Sequence, residues 1–232
     1  MSLLEVERIN SFYSDSHILF DVSLEVAENE VVAVLGRNGA GKTTTLKTLM
    51  GVVAPQSGEI RFAGRAIARR PPHEIARLGM QLVPEERRIF GTLTVEENLT
   101  LAGLSADRRL PLRQIYDLFP RLEERRRSSG RQLSGGEQQM LAIARALIRD
   151  ARLILLDEPF EGLAPIIVQD LLRVTEELAR AGRTIVIVEQ NVAAALSVAH
   201  RVYVLNKGSI AWHGSTEALR RSQDVMKTYL GV

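Results

Sequence analysis

The sequence predicts an α/β fold built around a core of parallel strands. Three short and almost wholly apolar runs, at residues 31–35, 153–156 and 184–188, support this fold, because strands covered on both faces are continuous apolar segments. The first run leads into a glycine-rich turn, and an amphipathic stretch at 166–180 separates the other two. Strands that alternate with helical stretches are typical of parallel sheets with helices on their faces.

Two further sections adjoin this core. Residues 3–9 and 22–27 alternate apolar and polar side chains, which is typical of half-buried antiparallel strands and predicts an N-terminal antiparallel sheet. Between residue 86 and about residue 151 strand signals disappear and apolar residues recur at helical spacing, which predicts an inserted helical subdomain. We expect one domain over 1–232, with a core of 1–85 and 152–232 around that helical subdomain.

Local signals place the other elements. Gly51 predicts the end of a helix that runs from Lys42 to about Met50. We expect an edge strand at 59–63 and a further core strand at 79–83, which Pro84 stops. The remaining expectations are helices at 95–104, 115–127 and 137–149 and a hairpin of strands 203–206 and 209–213.

Composition excludes several classes of protein. Apolar residues make up 45% of the chain and charged residues 25%, which is ordinary for a folded protein. The net charge of +2 is too small to indicate a nucleic-acid partner, and we expect none. The absence of cysteine excludes disulfides, thiolate metal sites and thiol nucleophiles. No signal peptide or apolar run of about 20 residues is evident, so we expect a cytoplasmic protein.

The strongest motif is a phosphate-binding loop that fits G-x-x-x-x-G-K-[ST] after an apolar strand and before a helix. Glycines let successive backbone N–H groups point at phosphate oxygens, and the helix N-terminus adds its dipole. Lys42 would reach the β- and γ-phosphates, and the Thr43 hydroxyl would ligate Mg²⁺. The expected nucleotide-binding residues are Gly36, Arg37, Asn38, Gly39, Ala40, Gly41, Lys42, Thr43 and Thr44.

Two carboxylates follow the apolar run at 153–156, at the end of a strand where ligands bind in open α/β sheets. Asp157 suits a ligand of Mg²⁺. Glu158 points the other way along the strand and could accept a proton from a water that attacks a nucleotide phosphate. Together with the phosphate-binding loop, this pair predicts nucleotide hydrolysis.

A third motif, Leu133-Ser134-Gly135-Gly136-Glu137-Gln138-Gln139, opens a predicted helix with a serine N-cap. With the two motifs above, it resembles the signature sequence of ATP-binding-cassette (ABC) ATPases over essentially the whole chain. The resemblance implies a P-loop NTPase fold with a RecA-like core. It also implies that two cassettes pair head to tail, so that Ser134, Gly135 and Gly136 bind the ATP held by the other cassette.

The same resemblance assigns further roles. Tyr13 lies where the family places an aromatic residue that stacks on adenine. Glu85 stands where the family usually has a glutamine that contacts Mg²⁺ and the membrane subunit. Gln190 stands where a histidine usually senses the γ-phosphate, and it can donate a hydrogen bond but cannot carry charge.

Both departures, together with VPEERRIFGTLTVEENL (83–99) and EGLAP (161–165), are similar to the cassette subunits of branched-chain amino-acid importers. That similarity implies membrane permease subunits, a second cassette that is identical or different, and indirectly a solute-binding protein as partners. It implies a position on the inner face of the inner membrane. We expect the permease near Glu85–Phe90, although Ile89 and Phe90 could instead belong to the subdomain core.

Three alternatives remain. A related importer of urea or another small polar solute would have a similar cassette. A non-transport ABC ATPase that acts on ribosomes or DNA usually joins two cassettes or inserts a long coiled coil, and 232 residues show neither. A regulatory nucleotide-binding module without turnover is disfavoured by the intact pair Asp157-Glu158.

Overall fold

The computed structural model describes residues 2–104, 106 and 108–232, and the strands of this part form two sheets. The strands are β1 (Ser2–Tyr13), β2 (Ser16–Ala27), β3 (Val31–Leu35), β4 (Ser57–Phe62), β5 (Arg65–Ala66), β6 (Met80–Val83), β7 (Leu153–Asp157), β8 (Thr184–Glu189), β9 (Arg201–Asn206) and β10 (Ser209–Ser215). The helices are α1 (Lys42–Leu49), α2 (Pro72–Arg77), α3 (Val95–Leu104), α4 (Leu112–Leu118), α5 (Pro120–Glu124), α6 (Gly135–Leu147), α7 (Pro165–Arg180), α8 (Val192–Val198), α9 (Thr216–Arg221) and α10 (Gln223–Val225), with a 3₁₀ turn at Gly130–Gln132 and a π turn at Met226–Leu230.

The larger sheet has the strand order β10-β9-β3-β8-β7-β6. Strands β9, β3, β8, β7 and β6 run parallel, and β10 pairs antiparallel with β9 in the predicted hairpin. The predicted run at 31–35 coincides with β3, whereas β7 and β8 each extend one residue further, to Asp157 and Glu189. The prediction of a parallel core is confirmed, although β6 is an edge strand of this sheet.

The smaller sheet contains the N-terminal strands in the order β2-β1-β4-β5, and it is antiparallel as predicted. The expectation of an edge strand at 59–63 is wrong, because β4 pairs with β1 on one side and with β5 on the other. A turn with left-handed backbone at Ala63 and Gly64 folds the chain back. Arg65 then pairs with Phe62, which places β4 inside the sheet.

Alternate side chains of the parallel strands face two hydrophobic cores. In β7, Leu153 and Leu155 pack towards the antiparallel sheet and α1, whereas Ile154 and Leu156 pack towards α6 and α7. All four are essentially inaccessible to solvent, and fully burying each such side chain contributes about 1.5–3 kcal/mol. The central strands are therefore held from both faces, and their carboxyl ends are firmly positioned.

Helices α3 to α6 lie in the chain between β6 and β7, where helical spacing was found. The predicted helix at 95–104 has the bounds of α3. The single helix predicted at 115–127 is wrong, because α4 ends at Leu118 and α5 begins at Pro120. Proline has no backbone N–H and disfavours helical geometry in the residue before it, and Phe119 accordingly has φ −129° and ψ 71°.

Several short helices were not predicted, although their N-termini carry recognisable signals. Proline occupies the first turn of α2. Asn191 and Ser215 are the N-caps of α8 and α9, since their side chains accept hydrogen bonds from the backbone N–H groups of Ala194 and Ala218. In the described part of the chain, no helix is both long enough and apolar enough to span a bilayer.

Candidate functional site

The phosphate-binding loop connects the buried strand β3 to the N-terminus of α1. Gly41, the N-cap of α1, has φ +107°, a backbone conformation that residues other than glycine rarely adopt. A Cβ at Gly41 would also lie 2.9 Å from Leu19 Cδ2. Glycine at this position therefore lets the loop turn sharply into the helix, whose first N–H groups have no partners within the helix.

Lys42 extends beneath this loop and is 4% exposed. Its Nζ donates hydrogen bonds to the backbone oxygens of Gly36, at 2.9 Å, and Arg37, at 3.4 Å. The same ammonium forms an ion pair at 3.0 Å with Oε1 of Glu158. The structure thus brings together Lys42 and the predicted base Glu158. Lys42 follows β3 and Glu158 follows β7, and these two strands flank β8 in the sheet.

Thr43 and Asp157 form the second link between the two motifs. The Thr43 hydroxyl donates a hydrogen bond of 3.0 Å to Oδ1 of Asp157. Burial raises the pKa of Asp157 to about 6, with the hydrogen bond from Thr43 opposing this and the charges of Glu158 and Glu85 adding to it. This hydroxyl and this carboxylate are hard oxygen donors of the kind that Mg²⁺ prefers, so the pair fits such an ion.

Glu158 begins the loop that follows β7 and has a left-handed backbone, with φ 46°. Its N–H donates to the backbone oxygen of Val188 at 3.0 Å, which ties the start of this loop to β8. Burial alone would raise the pKa of Glu158, but hydrogen bonds from Glu161 and Lys42 and the lysine charge hold it below the usual value. Sharing a hydrogen bond with Glu158 raises the pKa of Glu161 to about 7.

These groups surround a cleft of about 420 Å³. Its lining residues are Ile18, Asn38, Gly39, Gly41, Lys42, Thr43, Thr44, Glu85, Glu158 and Glu161. The structure therefore brings most of the predicted phosphate-binding residues together with Glu85 and the predicted base. Asp157 is joined to this group through Thr43.

Tyr13 lies at the end of β1, is 43% exposed, and does not line that cleft. It lines an adjoining groove of about 640 Å³. Thr43 and Glu85 line both the groove and the cleft, so the two cavities share a wall. A partly exposed aromatic side chain thus lines the same groove as Thr43 at the start of α1.

The predicted signature residues Ser134, Gly135 and Gly136 do not line the cleft of their own chain. They begin α6 in a capping box, where Ser134 Oγ accepts from the N–H of Glu137 and Glu137 Oε2 accepts from the N–H of Ser134. A Cβ at Gly136 would lie 2.6 Å from Cγ2 of Ile167, so glycine permits the close approach of α6 and α7.

Gln190 follows β8 directly, as predicted, but it is exposed and does not line the cleft. Its backbone N–H donates to Oε2 of Glu189 at 3.0 Å. Glu189 was not among the predicted site residues. A charged residue directly after the apolar run at 184–188 was the signal that could have indicated it. Glu189 is 2% exposed, and burial raises its pKa.

Comparison with known proteins places these features in a family. The ABC transporter family model matches residues 19–161. The chain is 44% identical to BraG of Pseudomonas aeruginosa, a high-affinity branched-chain amino acid transport ATP-binding protein, with 99% of this chain and all of that protein covered. It is 37% identical to LivF of Archaeoglobus fulgidus, a probable branched-chain amino acid transport ATP-binding protein, with 99% of each covered.

Two other matches are informative. LptB of Haemophilus influenzae, a lipopolysaccharide export system ATP-binding protein, is 38% identical, with 100% of this chain and 98% of that protein covered. The solved structure of an ATP-binding subunit of an ABC transporter is 31% identical with a TM-score of 0.83, covering 98% of this chain and 96% of that one. The predicted resemblance is therefore confirmed: the chain belongs to the ABC transporter family, as an ATP-binding subunit with the P-loop NTPase fold that couples ATP hydrolysis to transport.

Proposed function

We propose that the chain powers an importer of branched-chain amino acids. The observation that carries this proposal is the similarity to BraG, at 44% identity over the full length of both proteins. LivF, also named for branched-chain amino acid transport, supports the same cargo. The similarity of residues 83–99 to such cassettes agrees with this assignment.

ATP binds with its phosphates in the cleft of about 420 Å³. The loop Gly36–Thr44 supplies N–H groups, and the Lys42 ammonium exchanges its backbone and Glu158 partners for phosphate oxygens. Thr43, Asp157 and Glu85 would hold Mg²⁺, which when bound neutralises charge on the phosphates. Tyr13, which lines the adjoining groove, stacks on the adenine.

Hydrolysis then needs a base and a group that responds to the γ-phosphate. Glu158, held below its ordinary pKa, is ionised at neutral pH and accepts a proton from the attacking water. Gln190 donates a neutral hydrogen bond from the end of the neighbouring strand β8. Because Gln190 does not line the cleft, its side chain turns towards the phosphates when it acts.

A second cassette completes each nucleotide site. Ser134, Gly135 and Gly136 lie at an N–H-rich helix terminus that does not line the cleft of their own chain, which supports their use by the ATP of a partner cassette. The partner is either a second copy or a different cassette.

The permease docks on the groove of about 640 Å³ that separates the core from the helical subdomain, for which we propose the bounds 86–151. Arg87, Arg88 and Arg145 line this groove. Beside it, Phe90 is 45% exposed beneath the Arg145 guanidinium, whereas Ile89 packs against the hydrophobic cluster that the inserted helices form with the central strands. Through the permease the chain lies on the inner face of the inner membrane, and the permease connects it to a solute-binding protein.

A second candidate function is lipopolysaccharide export, because LptB is 38% identical over 98% of its length. The test is to coexpress the chain separately with branched-chain permeases and with lipopolysaccharide-export permeases, and to purify each complex. We expect stoichiometric copurification with the branched-chain permeases and leucine uptake by proteoliposomes that contain a leucine-binding protein and internal ATP. Lys42→Ala is the matched control and should abolish uptake. Assembly with the export permeases alone would overturn the proposed cargo, and uptake of urea but not leucine would assign the alternative importer class.

A further inference from the structure

Glu189 is a buried carboxylate that joins two loops. It ends β8, is 2% exposed, and forms no ion pair among those found in the described part of the chain. Its Oε1 accepts the N–H of Phe160 at 3.1 Å, and its Oε2 accepts the N–H groups of Gln190 and Asn191, each at 3.0 Å. Both carboxylate oxygens are therefore satisfied by backbone donors.

The two loops are those of the proposed hydrolytic groups. Phe160 lies two residues after Glu158 and is itself 5% exposed, so its backbone is well anchored. Gln190 follows Glu189 directly, and Asn191 caps α8. One side chain thus connects the loop after β7, which carries Glu158, to the loop after β8, which carries Gln190.

A merely structural role does not account well for a charge at this place. Burying a carboxylate is unfavourable unless hydrogen bonds compensate for the lost water. The neighbours that precede Glu189 on β8, Ile187 and Val188, are apolar and fully buried, so apolar side chains fit this part of the strand. A carboxylate here does what no apolar residue can, because it accepts hydrogen bonds from both loops at once.

We propose that Glu189 is a positioning residue for ATP hydrolysis, which holds the loop of Glu158 and the loop of Gln190 in a fixed mutual arrangement. The inference rests on the proposed role of Glu158 as the base. Glu189 is buried and does not line the nucleotide cleft, so it acts through these two loops. Its loss therefore slows the chemical step and leaves ATP binding at the phosphate loop unchanged.

The test compares Glu189→Gln, Glu189→Asp and Glu189→Ala in the purified chain and in the assembled transporter. Glutamine has the same shape as glutamate, but its amide NH₂ replaces one of the two acceptor oxygens. That NH₂ faces a backbone N–H and cannot accept its hydrogen bond, so one of the two loops is released. We expect kcat to fall about 10-fold in Glu189→Gln and about 100-fold in Glu189→Ala and Glu189→Asp, with KM and the ATP dissociation constant within two-fold of the parent.

Thr184→Val is the matched control. Thr184 is buried at the opposite end of the same strand, where its Oγ1 accepts the N–H of Asn29. This variant should lower the melting temperature about as much as Glu189→Gln while leaving kcat unchanged. Equal kcat in the two variants would overturn the proposal, as would a rise in KM that accounts for the lost activity.

A combined variant separates this inference from the role of Glu158. If Glu189 acts through the Glu158 and Gln190 loops, adding Glu189→Gln to the double variant Glu158→Gln, Gln190→Ala should lower the residual single-turnover rate by less than two-fold. A full further 10-fold loss would overturn the inference and leave the base assignment standing. Undiminished turnover in Glu158→Gln alone would instead overturn the base assignment itself.

Discussion

Lys42 and Glu158 form an ion pair at 3.0 Å in which the lysine is 4% and the carboxylate 11% exposed. Each group has another task in the proposed reaction, since Lys42 binds phosphate oxygens and Glu158 accepts a proton from water. Removing one partner of a buried pair leaves an uncompensated charge, which costs about 3–5 kcal/mol. ATP must therefore offer Lys42 a better partner than Glu158, and the carboxylate becomes free for water only when this exchange occurs.

Lys42→Ala should abolish ATP binding at sub-millimolar concentration while the chain stays folded, because Lys42 is the cationic side chain that lines the cleft. Isothermal calorimetry measures the binding, and circular dichroism checks the fold. Lys227→Ala, which removes an exposed lysine near the C-terminus, is the control and should bind like the parent. Parental affinity in Lys42→Ala would show that the phosphate-loop assignment is wrong.

Glu158→Gln should bind MgATP but hydrolyse it at least 100-fold more slowly, because the amide cannot accept a proton. With ATP trapped, the chain should elute as a dimer when its mass is measured by light scattering. Glu59→Gln, a change at an exposed carboxylate of β4, is the control for loss of one charge. Turnover at the parental rate would contradict the role of Glu158.

Gln190→Ala should slow hydrolysis about 10-fold, which is the rate equivalent of about 1.4 kcal/mol and typical of losing one neutral hydrogen bond. Gln190→His should remain active and acquire a pH dependence between about 6 and 7, as imidazole titrates. A pH–rate profile of the assembled transporter measures both effects. If Gln190→Ala hydrolysed ATP at the parental rate, Gln190 would be a polar residue at the end of a strand and no more.

Glu161 should titrate near pH 7 in the protein without nucleotide, because it shares a hydrogen bond with Glu158 that favours its protonated form. The raised pKa means that Glu161 is largely protonated at pH 6 and ionised at pH 8. In Glu158→Gln the pKa of Glu161 should fall, since the neighbouring negative charge is gone. Carbon-13 NMR of the labelled carboxyl groups measures both values, and an unchanged titration in the variant would contradict the pairing.

Arg87→Glu combined with Phe90→Ala should weaken permease binding without reducing the ATPase activity of the isolated chain. Arg87 lines the groove and donates from Nε to Gln139 Oε1 at 3.2 Å, and Phe90 is exposed beside it. Copurification with tagged permease measures binding. Arg221→Glu, on α9 and outside the groove, is the control. Unchanged copurification would place the docking surface elsewhere.

The central strands and the phosphate loop were predictable because their signals are local and strong. A strand buried on both faces must be apolar throughout, and β3 accordingly has the predicted bounds 31–35. The loop that follows needs glycine at Gly41 for its positive φ, which a sequence displays directly. Asp157 and Glu158 were predictable for a similar reason, since charged residues stand out after an apolar strand.

Other features depend on contacts between distant segments. The environment of Glu189 is set by the N–H of Phe160, 29 residues earlier in the chain, and strand periodicity does not reveal that pairing. A turn of two residues with left-handed backbone allows β5 to pair with β4. Because of this pairing, the strand that was expected at the edge of the sheet lies inside it. Pro120 is a local signal for a break between two helices. The apolar spacing favoured one continuous helix, and that prediction is wrong.

The position of the inserted helices limits how this protein could be shortened. Strands β6 and β7 are adjacent and parallel, with Val83 beside Leu156, so the chain that leaves β6 must travel back along the sheet before it enters β7 at Leu153. Such a return requires roughly a dozen residues or more. Helices α3 to α6 lie on this return path, and α6 together with α7 covers the face of β7 that carries Ile154 and Leu156. A minimal ATPase made by deleting them would need both a new crossover and a new cover for that face, so only replacement by another helical segment could preserve the nucleotide cleft.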